Sequence, residues 1–89
     1  MQHRITRDTD NGWMLIEYLG GFAVGKLDRR LMIWDFTIVE PNLTPGLNDP
    51  TLATFRVTRE AMMDPMGDDM LIHAFLRTRG DIARQRVKS

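Results

Sequence analysis

The sequence holds no cysteine. Disulfides, thiolate metal sites and a cysteine nucleophile are therefore excluded, whatever compartment the chain occupies. It carries no net charge, twelve basic side chains standing against twelve acidic ones. No bulk field draws it onto nucleic acid or an anionic membrane, and any electrostatic binding must be local. Long apolar runs are missing as well, since nothing approaches the roughly 20 residues that a membrane-crossing helix needs. Met1 to Gly12 is polar, with Arg4, Arg7, Asp8 and Asp10 where a secretory signal has its apolar core. The expected location is the cytoplasm, with no membrane partner.

Repeats and low-complexity tracts are also lacking, and what remains is the composition of an ordinary globular protein, 43% hydrophobic and 27% charged over 89 residues. Residues 1–89 read as one domain with one core, in which 1–12 is a polar segment free to be flexible. A core of this size buries roughly 60–65% of the unfolded surface. Stability in reserve is small, so dimerisation is a natural supplement.

The chain's order is strands first, helices last. Trp13 to Tyr18 and Phe22 to Leu27 are apolar runs about Gly20-Gly21 and predict a hairpin with a glycine-permitted turn. Leu31 to Val39 alternates, placing Met32, Trp34, Phe36 and Ile38 on one face and Ile33, Asp35 and Thr37 on the other. Residues 40–50 hold three prolines and two asparagines, which predicts an exposed loop, because proline cannot donate to a ladder. Thr51 to Val57 alternates again and is expected to pair antiparallel with the preceding strand. Thr58 is placed to cap a short helix from Arg59, which Asp64-Pro65 ends.

A longer helix is expected from about Asp69 to Val87, with Leu71, Phe75 and Ile82 at helical spacing and Ala74, Thr78 and Ala83 extending that side. Gly80 invites a kink there. The fold class is α+β: an antiparallel sheet of about four strands, followed by a short helix and a longer C-terminal amphipathic helix packed on one face.

Candidate chemistry is sparse. His73 lies one helical turn from Asp69 and from Arg77, yet no nucleophile or second histidine stands near it, so it reads as a surface residue in a charged row. Asp64, Asp68 and Asp69 lack the alternating oxygen ligands of a calcium loop and suit helix starts instead. Gly20, Gly21 and Gly25 lack the lysine and hydroxyl of a phosphate loop. Met62, Met63, Met66 and Met70 cluster at the helix junction, where two of the four are expected to face inward. Catalytic, cofactor and metal residues are thus none.

The residues Phe55 to Met62 (Phe-Arg-Val-Thr-Arg-Glu-Ala-Met), with Asp69, Leu71, Ala74, Phe75, Arg79, Ile82 and Ala83, give about two thirds of the chain a pattern that resembles the small bacterial family of domains of unknown function numbered 1488. The resemblance implies a strand hairpin leading into a short helix and then a longer one. The proline-bearing loop and the first thirty residues depart from that pattern. The family has no established activity to transfer.

The function these features support is that of a non-enzymatic protein-interaction or regulatory module, compatible with a compact phage or mobile-element inhibitor of a host complex. Its partner would be another protein or a second copy of the chain. The interaction candidates are the strand residues Trp13, Ile33, Trp34, Val39 and Leu52, since aromatic side chains dominate interface energetics. The alternative is nucleic-acid binding through the Arg-rich C-terminal helix, using Arg77, Arg84, Arg86 and Lys88.

Overall fold

The computed structural model describes residues 3–39, 53–64 and 66–88, with side chains as far as residue 84. The proline-bearing stretch 40–50 and the candidate Leu52 lie outside the described residues.

Five strands form one antiparallel meander in chain order: β1 (Arg4–Asp8), β2 (Trp13–Tyr18), β3 (Gly21–Asp28), β4 (Ile33–Ile38) and β5 (Thr54–Thr58). Two helices follow, α1 (Arg59–Met63) and α2 (Gly67–Lys88). The α+β order of the sequence reading stands, and the sheet has one strand more than the expected four. The extra strand is β1. Its residues are mostly polar, and pairing makes it a strand: Ile5 lies opposite Ile16 and Arg7 opposite Met14 on an edge with one half-buried apolar side chain.

Two kinds of turn set the register. Leu19 and Gly20 form a two-residue loop between Tyr18 and Gly21, with φ of 53° and 77°. Positive φ at both central residues is the primed turn whose twist matches the strands, so the turn sits one residue earlier than the glycine pair suggested. At the opposite end of the sheet, two four-residue loops (9–12 and 29–32) end on Gly12 and Met32 at φ 73° and 56°. Each is fastened by the aspartate before it. Asp8 accepts from Asn11, and Asp28 accepts from the backbone N–H groups of Arg30 and Leu31.

Strand alternation puts Met14, Ile16, Ala23, Trp34, Phe36, Ile38, Phe55 and Val57 on one face, all at or below 8% exposure. Small residues in the middle strand make room for large ones beside it. Gly25 lies opposite Phe36, and the Phe36 ring sits directly on its backbone. Phe36 stacks in turn on Phe55, with centroids 5.0 Å apart and rings 5° from parallel.

Helix α2 covers this face. Leu71, Phe75, Thr78 and Ile82 recur at steps of four, three and four and are buried, so they form one stripe. The three apolar members contribute about 1.5–3 kcal/mol each. Ala83 is one residue off the stripe, about 100° around the helix, and is exposed where an inward position was expected. The helix runs through Gly80 without a break, because Thr78 and Ile82 anchor it on either side. An ion pair from Arg7 to Asp68 ties its start to β1. Near its other end, Arg79 lies 5.4 Å from the centre of the Phe75 ring and donates to the Tyr18 carbonyl at 3.4 Å.

Thr58 caps α1, its hydroxyl accepting from Ala61 N–H at 3.2 Å, as the sequence indicated. No helix among the described residues is long and apolar enough to cross a membrane.

Candidate functional site

The sheet has two faces and α2 lies on one, so the other is set by what strand alternation sends outward. The register arranges these side chains in rows across the strands. One row runs Asp8, Trp13, Lys26, Asp35, Arg56, and the next runs Thr6, Leu15, Val24, Thr37, Thr54. Beyond them lie Arg4, Glu17 and Phe22 on one side, and Asp28, Ile33 and Thr58 on the other.

The charges on this face are matched in its own plane. Arg56 Nε donates to Asp35 at 2.7 Å, Lys26 stands opposite Asp35, and Arg4 stands opposite Glu17. Asp8 is held below the range of an ordinary aspartate, chiefly because the Asn11 side-chain amide donates to it at 2.8 Å, then through the Asn11 backbone N–H, with a smaller lowering by Trp13. Between the charges lies apolar surface. Trp13 and Phe22 are each 39% exposed, and Leu15, Val24 and Ile33 are half-buried. No described element covers them.

Of the sequence candidates, Trp13, Ile33 and Val39 share this uncovered face or its margin, Val39 by way of its N–H donating to the Phe22 carbonyl. Trp34 does not. It is 3% exposed on the opposite face, among Phe36, Leu27 and the core, because its parity in β4 is that of Phe36 and Ile38. Sequence reading overlooked Phe22. The signal was there, since Phe22 alternates against Ala23 and Gly25, the small residues that have to face the helix.

The C-terminal arginines are dispersed. Arg77 is exposed, Arg84 is ion-paired with Asp81 one turn back, and the helix carries Arg86 and Lys88, whose side chains lie outside those described. His73 is exposed on α2, where it lines a shallow hollow with Arg56, Thr58 and Arg77. Asp64 accepts from Met66 N–H at 2.9 Å, and Asp68 holds Arg7. Of the methionine cluster only Met62 is half-buried. Met63, Met66 and Met70 are exposed at 75%, 61% and 43%, where two inward residues were expected. Helix α1 is only five residues long and buries none of them fully, so it cannot turn a second methionine toward the sheet.

A cavity of about 440 Å³ lies at the loop end of the sheet under α1, on the helix side and apart from the aromatic face. Comparison with family models, curated proteins and solved structures gives no match.

Proposed function

We propose that the chain is a non-enzymatic protein-interaction module that docks through the uncovered sheet face, with a second copy of itself as the partner. The supporting observation is the pair of aromatic side chains, Trp13 and Phe22, standing 39% exposed on a face that no described element covers. Large exposed aromatics on a patch whose charges already have neighbours are the usual anchors of an interface. A face with both signs interspersed is self-complementary under a two-fold axis and favours neither a strongly acidic nor a strongly basic partner. The family that the C-terminal two thirds resembles has no established activity, so the reading rests on this surface.

The available area sets the strength. Five strands spaced about 4.8 Å apart, each rising about 3.3 Å per residue, give a patch of roughly 500 Å². That is below the ~800 Å² per partner of a standard interface, so association in the micromolar range is expected. Light scattering over a micromolar dilution series should show mass rising above the 10.3 kDa monomer. Phe22→Lys and Trp13→Lys should hold the chain at the monomer mass with melting unchanged. A wild-type mass of 10.3 kDa at every concentration would end the proposal.

A further inference from the structure

A second surface lies at the loop end of the sheet, on the helix side. The two four-residue loops and the start of α1 enclose the 440 Å³ cavity there, a size within the range of small-molecule sites. Its accessible apolar lining is Leu27, Met32 and Met62, backed by the buried side chains of Met14 and Trp34. Its polar rim is of one sign. Arg7, Arg29 and Arg59 line it, and among the described residues no carboxylate does.

The three guanidinium groups differ in what holds them. Arg7 is neutralised by Asp68. Arg29 donates to the carbonyl of Asp10 at 2.9 Å, which fixes the group but leaves its charge uncompensated. Arg59 makes no side-chain hydrogen bond or ion pair among the described residues. Its backbone is nevertheless fixed, because its N–H donates at 3.0 Å to the carbonyl of Met32. Met32 itself is held at φ 56° on the cavity lip, a left-handed conformation that persists where the surroundings impose it. Among the described residues, two guanidinium groups without an acidic partner thus flank an apolar lining of leucine and methionine side chains.

We propose that this cavity binds a small organic anion, with a carboxylate or phosphate monoester head on Arg29 and Arg59 and a hydrocarbon body on Leu27, Met32 and Met62. Guanidinium groups match the oxygens of either head through paired N–H donors. Methionine side chains adapt to a body of varied shape. The site is separate from the aromatic sheet face, so it stands or falls independently of self-association.

The test uses the full chain with Trp13→Phe, which leaves Trp34 as the sole tryptophan and therefore a fluorescence reporter behind the cavity lining. Decanoate and decyl phosphate are titrated, with decanol and inorganic phosphate as the body-only and head-only probes. Saturable binding of either anion, at least about tenfold tighter than decanol and weakened by salt, is the expected result. Whichever of the two binds more tightly identifies the head. Arg59→Gln, at an exposed position with no side-chain partner among the described residues, should weaken the anion severalfold without moving decanol or the melting temperature.

Methyl resonances give a second reading. Met32 and Met62 should shift on binding, while Met66 and Met70 outside the cavity should not. Equal binding of decanol and decanoate, inorganic phosphate binding as tightly as decyl phosphate, insensitivity to Arg59→Gln, or no saturable binding would each overturn the assignment.

Discussion

Replacing Gly25 with alanine adds a single methyl group at the most crowded point of the sheet. An ideal Cβ there would stand 2.5, 2.7 and 2.8 Å from Cε1, Cδ1 and Cζ of Phe36, against ordinary carbon contacts of about 3.5–4.0 Å. The ring would have to retreat by about 1 Å. It cannot do so freely, because Phe36 is fully buried, Phe55 is stacked against it at 5.0 Å and Trp34 lies at 6.4 Å. Overpacking of this kind costs about 1–3 kcal/mol. Alanine recovers about 0.5–1 kcal/mol of the backbone entropy that glycine loses in a strand.

The net expectation for Gly25→Ala is a loss of about 1–2 kcal/mol, or roughly 4–8 °C in melting temperature for each kcal/mol. Urea unfolding should show the midpoint falling with an unchanged slope. If the clash is the cause, Phe36→Leu should absorb it. Gly25→Ala in that background should cost far less than in the wild type, giving a coupling of about 1 kcal/mol in a double-mutant cycle. A neutral Gly25→Ala, or strict additivity with Phe36→Leu, would refute the close-packed geometry.

Two further outcomes are expected. Phe75→Ala should destabilise the fold by about 3–5 kcal/mol, since Phe75 is fully buried at the centre of the α2 stripe; a loss below about 1 kcal/mol in denaturant melts would mean that another side of the helix faces the sheet. In a carboxyl NMR titration Asp8 should titrate below a free aspartate, and Asn11→Ala should raise it, because Asn11 supplies the two main hydrogen bonds. The folded-state value is depressed, so this contribution to stability is present above the free-aspartate range and is lost as pH falls through the folded value. An unshifted Asp8 in the wild type would contradict the loop geometry.

Much of the fold was readable because some segments have only one way to bury their apolar atoms. Ile33 to Ile38 alternates cleanly, and Leu71, Phe75 and Ile82 fall on a single helical stripe, so local pattern and burial agree there. Thr58 followed by Arg59 and Glu60 is a capping arrangement set by the chain's own hydrogen-bonding groups. Trp13 to Tyr18 offers no such choice. Trp13 and Leu15 are as apolar as Met14 and Ile16, and local alternation cannot say which pair goes inward. The neighbouring strand decides. Met14 and Ile16 pair with Gly25 and Ala23, whose small size suits the helix side, and this sends Trp13 out to the bare face.

Composition and order within the chain by themselves determined a cysteine-free α+β fold, with sheet first, helices last, and no bulk charge to direct it. Tertiary structure alone decided which polar stretch became β1, which tryptophan is core and which is surface, and that Arg29 and Arg59 line one cavity. The reason is range. Propensity, capping and periodicity act over a few residues, whereas strand pairing and the docking of α1 against the loop end bring together groups tens of residues apart whose encounter no local pattern encodes.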